Sequence, residues 1–305
     1  MRAVINGATG AIGMALIKEL IAYGHEVLVM CRESSPRSKD IPVHSLVKKI
    51  DCPLDKMREF SLDNEVYDVF YHFAWEGTTG EARNDMYLQN RNVTYTLDAV
   101  ALASRLGCKT FIGAGSQAEY GRVEGKLTPK TPTFPENGYG IAKLCASQMS
   151  RIMCASLGIR HIWTRILSVY GPNDTQNSMV MSTIRKLRQG EKPSFTKGEQ
   201  VWDYLYSGDA AKAFIALADK GRDGEIYCLG SGDPQRLCEY IKTIGRLTAP
   251  DAELGIGEVP YAPKQVMYLC ADIEKLTADT GFVPKTSFEN GIKETLKWYD
   301  EMFPK

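Results

Sequence analysis

Tyr139-Gly140-Ile141-Ala142-Lys143 places a phenol and an ammonium four residues apart, at the head of a stretch whose pattern is helical. On a helix that spacing puts both side chains on one face. A tyrosine titrates at about 10 in water, and a neighbouring ammonium stabilises its phenolate. The phenol can then give a proton to a carbonyl or take one from an alcohol near neutrality. Ser116 stands just past the apolar run 109–115, where a hydroxyl could hold a reacting oxygen against that phenol. A chain with 15 tyrosines produces such a pair by accident, and a serine at a strand end is often a turn former. The trio gains its weight from what surrounds it.

Ahead of it, Gly7-Ala8-Thr9-Gly10-Ala11-Ile12-Gly13 joins an apolar strand, 2–6, to a helical pattern, 12–23. Glycines there permit a tight turn and let a pyrophosphate sit on the helix N-terminus. The candidate contacts are Gly7, Thr9, Gly10, Ile12 and Gly13. The next strand ends Val29-Met30-Cys31-Arg32-Glu33. An NAD site wants a carboxylate at that end for the ribose 2′-hydroxyl. Cys31 holds the place instead, and Arg32, with Arg37 nearby, could grip a 2′-phosphate in two-pronged geometry. A charge-assisted bond of roughly 1.5–3 kcal/mol corresponds to an approximately 10- to 150-fold preference for NADP. Glu33 speaks for NAD, which is the less favoured cofactor.

The elements that must position these groups follow a rhythm. Strand patterns at 2–6, 26–31, 43–50, 68–74, 109–115 and 159–167 alternate with helical patterns near 12–23, 86–106 and 139–157. That rhythm predicts an α/β fold with a doubly wound parallel sheet of Rossmann type, its ligands lying beyond the carboxyl ends of the strands. After Tyr170-Gly171-Pro172 it breaks into a helix near 178–189 and a strand over 202–206, then resumes with a helix at 209–219 and a strand at 225–229. A final helix is expected over 287–302. This predicts a dinucleotide-binding lobe of residues 1–167 and about 204–232, interleaved with a smaller mixed α/β substrate lobe of about 168–203 and 233–305.

The 37 basic residues balance 37 acidic ones, so no charge excess advertises nucleic acid or an anionic membrane surface. No run approaches the roughly 18 apolar residues of a membrane span, and the opening residues do not look like a secretory leader. The eight cysteines include no Cys-x-x-Cys pair and the four histidines are scattered. Disulfide, zinc and other metal frameworks are not expected, and a reducing cytoplasm is.

With these motifs in order, the chain resembles the extended short-chain dehydrogenase/reductases of nucleotide-sugar metabolism along essentially its whole length. Further matches are Asp51-Cys52, His72-Phe73-Ala74, Asn92-Val93 with Thr96, and Gly115-Ser116 through Tyr120-Gly121. Arg165 with Val169-Tyr170-Gly171-Pro172, Asp203-Tyr204 and Ala271-Asp272 continue the match. The resemblance implies Ser116, Tyr139 and Lys143 as catalytic residues with Asn92 as a fourth. It implies Asp51 and Cys52 at the adenine, Phe73, Ala74 and Leu167 beside the cofactor, and a homodimer through helices 86–106 and 139–157.

Relatives of this type split into 4-epimerases, 4,6-dehydratases, decarboxylases and 4-ketoreductases. The dehydratases carry Asp-Glu after the catalytic hydroxyl; here those places hold Gln117 and Ala118, and Glu119 falls one residue late, on the opposite face of an extended segment. An Arg32-selected NADP suits net reduction. The expectation is therefore an NADP-dependent reduction of a 4-keto-6-deoxy nucleotide sugar, with an NAD-dependent 4-epimerase as the alternative and a non-catalytic NADP sensor as a minor one. The arginines that often grip the diphosphate are replaced by Trp202 and Ala262 or neighbours. Gln117, Asn177, Trp202 and Arg236 are the substrate-side candidates beside Ser116, with Arg185 and Lys264 as further possible cations.

Overall fold

The computed structural model describes residues 1–62 and 65–304. Its first half runs β1 (Arg2–Asn6), α1 (Ala11–Ala22), β2 (Glu26–Cys31), β3 (Val47–Asp51), β4 (Val69–His72), α2 (Met86–Arg105), β5 (Thr110–Ser116), α3 (Gly138–Ser156) and β6 (Arg160–Ile166). Then come β7 (Ser168–Tyr170), α4 (Met179–Arg188), β8 (Ser194–Phe195), β9 (Val201–Trp202), β10 (Tyr204–Tyr206), α5 (Ser207–Lys220) and β11 (Glu225–Leu229). The chain closes with β12 (Gln235–Arg236), α6 (Leu237–Thr248), β13 (Gly255–Ile256), α7 (Glu274–Thr280) and α8 (Phe288–Met302).

Seven strands form one parallel sheet in the order β11-β6-β5-β4-β1-β2-β3. The order reverses between β1 and β4, the switch point where the carboxyl ends of strands open a crevice. The fold is the Rossmann-type α/β plan expected from the rhythm. α1 and α5 pack on one face, their Leu16, Ile17, Leu20, Phe214 and Leu217 sealed against Ile5, Val29 and Tyr71. α2 covers the other through Val100, Leu102 and Ala103. α4, α6 and α8 gather around Met181, Ile184, Ile244 and Ile292 in a separate cluster.

Three local departures from the expected pattern have physical causes. The strand expected from 43 starts only at Val47: Pro42 carries no N–H to pair, and Val43 is fully exposed beside it. The strand expected over 202–206 divides at Asp203, a buried carboxylate that accepts from the amides of Ser231, Gly232 and Ala271 at 2.7, 3.1 and 2.9 Å. On either side of it β9 pairs with β12 and β10 with β7. Finally, α7 falls in the stretch assigned to the smaller lobe, yet its Leu276 is buried in the core of the main sheet together with Phe282. An amphipathic segment follows the apolar surface it can reach, wherever its neighbours in sequence lie.

Candidate active site and dinucleotide groove

Asn6, the last residue of β1, organises the switch point. Its Oδ1 accepts from the amides of Phe73 and Ala74 at 3.0 and 3.2 Å, and its amide lies 2.8 Å from Nδ1 of His72. The end of β1 is thereby tied to the end of β4. Gly7 follows at φ 70°, and a Cβ there would lie 2.4 Å from the Ala74 amide nitrogen. Gly13 is equally closed, 2.6 Å from the Ala8 backbone, because α1 leans on the turn. At Gly10 a Cβ would meet nothing closer than the Gly7 carbonyl at 4.0 Å, so the space before the first turn of α1 is free. Free amides and open space at a helix N-terminus fit a pyrophosphate.

Two connected cavities flank this turn, of about 370 and 320 Å³, and Gly7, Gly10, Phe73, Trp75 and Thr78 line both. The second is bordered by Thr9, Cys31, Arg32, Arg37, Cys52 and Ala74. Asp51 lies outside its lining, and one oxygen of its carboxylate accepts from the Glu33 amide at 2.8 Å, shaping the loop that presents Arg32. The Arg37 guanidinium donates to the carbonyl of Asn173, a residue at φ 63° in the loop before α4. Long, open and polar at the helix terminus, the paired cavity suits a nicotinamide dinucleotide. A larger cavity, about 650 Å³, opens at the other ends of the strands among Asp68, Lys109 and Arg160, away from every candidate residue.

The first cavity is lined by Ile12, Gly13, Ser116, Tyr139, Lys143, Leu167 and Asp174, which brings the trio to the glycine turn. Each member has its own support. Asn137 caps α3 by accepting from the Gly140 amide at 2.8 Å, fixing the helix start and with it Tyr139. Ser116 caps the 3-10 turn Gln117–Glu119: its Oγ accepts from Ala118 N at 3.2 Å, while Glu119 Oε1 accepts from Ser116 N at 2.9 Å. Residues 117–119 are thus a turn, and the extended segment expected there is corrected. Glu119 still points away from the cleft, but because the turn drives it into the core against Trp163 and Arg165.

Burial perturbs the acid–base groups of the cleft. Burial pushes the Tyr139 phenol up, opposed by a hydrogen bond with Ser116 and then by the Arg83 charge. Lys143 follows one helical turn on. Its Nζ donates to the Ala114 carbonyl at 2.6 Å, lies 3.7 Å from the centre of the Trp75 ring, and is pulled by burial to about 7. Burial raises the Asp174 carboxyl too, against bonds from Ser178 and the Thr175 amide.

Not every candidate gathers here. Asn92 is buried one layer back, its side chain clasping the backbone N–H and C=O of Glu76 at 2.9 Å each. Trp202 and Arg236 share the β9–β12 ribbon, with Trp202 Nε1 donating to Ser168 Oγ at 2.8 Å. Asn177 and Arg236 are exposed, and Gln117 is half-buried at the head of its turn. None of the four is among the described residues that line the Tyr139 cavity. Trp75, Thr78, Arg83 and Asp174 escaped the sequence reading. Trp75 alone carried a signal, an indole directly after His72-Phe73-Ala74.

The parallel sheet, its switch-point crevice and the glycine turn define the class, a dinucleotide-binding enzyme of the extended short-chain dehydrogenase/reductase type. The chain belongs to the NAD dependent epimerase/dehydratase family, which matches residues 3–230. A trifunctional UDP-glucose 4,6-dehydratase/UDP-4-keto-6-deoxy-D-glucose 3,5-epimerase/UDP-4-keto-L-rhamnose-reductase of Arabidopsis thaliana is 25% identical over 98% of this chain and 47% of its own length. The chain thus spans about half of that relative. A UDP-N-acetyl-alpha-D-glucosaminuronate decarboxylase of Bacillus cytotoxicus is 27% identical over 99% of this chain and 98% of its own. In fold the chain is similar to the UDP-glucose 4-epimerase of Thermotoga maritima, with a TM-score of 0.87 at 23% identity over 99% of both chains. No helix among the described residues is long and apolar enough to cross a membrane.

Proposed function

We propose that the chain reduces a 4-keto-6-deoxy nucleotide sugar to the 4-hydroxy sugar, using NADPH. The observation that carries this reading is the make-up of the groove: Arg32 lines it where the ribose end would lie, while Glu33, exposed like Arg32, is outside its lining. A guanidinium at that place favours a 2′-phosphate, and an exchangeable phosphorylated cofactor suits net reduction. The nicotinamide supplies the hydride when bound. Tyr139 gives the proton to the ketone oxygen, Ser116 holds that oxygen in line, and Lys143 keeps the floor of the cleft polar through Ala114. Asp174 is the one carboxylate among the described residues that line the Tyr139 cavity, and Gln117 and Ala118 follow Ser116 where the dehydratases carry Asp-Glu, which argues against elimination of water. The Arabidopsis relative, of which this chain covers 47%, names a 4-keto-rhamnose reductase among its three activities, beside a 4,6-dehydratase and a 3,5-epimerase.

A homodimer is part of this proposal. α2 and α3 pack side by side, and Ile141, Cys145, Met149 and Ile152 lie exposed on one face of α3. A 4-epimerase is the second reading, favoured by the contact between Arg37 and Asn173, which ties two loops across the groove and would slow cofactor escape. The test is incubation with NADPH and UDP- or dTDP-4-keto-6-deoxyglucose, following reduced-nicotinamide absorbance and product mass. Stoichiometric consumption is expected. An inverted carbon 4 on a 4-hydroxy sugar, with no net cofactor used, would overturn the reduction.

A further inference from the structure

The phenol of Tyr139 needs a cation at hand, and the geometry supplies one from outside the Tyr-x-x-x-Lys pair. Arg83 belongs to a 3-10 turn, Gly80–Asn84, between β4 and α2. The turn is docked on the start of α3. Asn84 Oδ1 accepts from the Gly138 amide at 3.1 Å, Gln89 Nε2 donates to the carbonyls of Ala82 and Gly77 at 2.9 Å each, and a Cβ on Gly138 would stand 3.0 Å from the Arg83 carbonyl. The backbone of Arg83 is therefore fixed beside the residue preceding Tyr139. Its guanidinium lies over the phenol ring, 4.3 Å from Cζ to the ring centre, with Nη1 donating to the Thr78 carbonyl at 3.0 Å.

Lys143 is less well placed. Its Nζ is 5.8 Å from the Tyr139 ring centre and is covered by Trp75, which stands edge-on to the phenol at 6.0 Å and 83°. It donates to the Ala114 carbonyl, and burial pulls it down to about 7. A guanidinium remains charged throughout. The other groups that bear on the phenol are Ser116 from β5, Glu119 from the turn after it, and Asp174 across the cleft; Glu119 opposes ionisation and Ser116 favours it.

We propose that Arg83 is a second positioning cation of Tyr139 beside Lys143, holding the ring by its face and favouring the phenolate from a loop outside the Tyr-x-x-x-Lys pair. This rests on the reading of Tyr139 as the proton donor. An arginine over an aromatic face gains from the ring's negative quadrupole, and a charge this close favours the ionised phenol.

The experiment follows ionisation of Tyr139 directly, by NMR of Cζ-labelled tyrosine assigned with Tyr139→Phe, alongside the pH profile of turnover. Arg83→Met should move the Tyr139 midpoint to higher pH and slow the alcohol-oxidising direction about fivefold at mildly alkaline pH, with cofactor affinity unchanged. Arg83→Lys should restore most of both. If Arg83→Met does not fold, Arg83→Gln, which can keep the bond to the Thr78 carbonyl, is read in its place. An unchanged midpoint in a folded neutral variant overturns the proposal, whatever the rate does. A shifted midpoint with full turnover in Tyr139→Phe would instead sustain Arg83 and overturn the role of the phenol.

Discussion

Glu119 Oε2 accepts from Arg165 Nε at 2.8 Å with the two side chains 0% and 3% exposed, a sealed ion pair directly behind Ser116. The other oxygen of the same carboxylate accepts from Ser116 N and, at 3.0 Å, from Trp163 Nε1. Gly115 makes room for it, since a Cβ there would lie 2.3 Å from that oxygen. Arg165 also lies 4.4 Å over the Tyr120 ring, and its Nη1 finds no partner among the described residues. Removing one member of a buried pair strands the other's charge. Glu119→Leu should therefore lower stability by about 3–5 kcal/mol, and adding Arg165→Met should regain most of it. Turnover should stay low in the double variant, because Ser116 N has lost its acceptor. Denaturant unfolding and steady-state rates test both halves. Equal stability of single and double variants would show that the stranded charge is not the cause.

The guanidinium of Arg32 should decide the cofactor. Arg32→Ala is expected to weaken NADPH by about 10- to 150-fold and leave NADH near its wild-type affinity. Fluorescence titration of both cofactors reads this. Equal wild-type affinities for the two would remove the basis for NADP.

Arg37 and Asn173 are far apart in sequence and meet across the groove. With Arg37→Ala the loop before α4 loses that tie, and cofactor release should quicken about tenfold, the worth of one charge-assisted bond. Stopped-flow displacement of NADPH and of NADH separates two roles. Faster release of both marks a tie across the groove; faster release of NADPH alone marks a direct contact with the 2′-phosphate.

Acid sensitivity should trace to buried histidines. His161 is stacked between Phe111 and Trp163 at 6.1 Å each, and burial pulls it to about 4. The unfolded chain takes its proton at about 6.5. The stability is therefore whole above that value and is lost as pH falls towards 4, by about 3 kcal/mol at pH 4. His161→Phe keeps the stack, discards an Nδ1 that has no partner among the described residues, and leaves the Ser150 hydroxyl its bond to the Ser147 carbonyl in place of Nε2, so it should hold at neutral pH and unfold later in acid. Urea midpoints at both pH values measure it. His72, pulled to about 3 against Asn6 and Thr96, should leave a residual dependence.

What could be read from the sequence is what short-range geometry dictates. Helical spacing alone aligns Tyr139 with Lys143, strand period and turn residues predict a parallel sheet, and the glycines of residues 7–13 require a turn that only a ligand or a neighbouring backbone can approach. Those inferences rest on residues a few positions apart. The tertiary structure alone brought a second cation to the Tyr139 ring, since Arg83 and Tyr139 meet only when the loop after β4 docks on α3. It also turned Glu119 inward on Arg165, gave Asn92 to the Glu76 backbone, and covered Lys143 with Trp75. Each of these contacts joins separate elements. Their direction is set by packing density and the pairing of buried polar groups, quantities that no local pattern of residues contains.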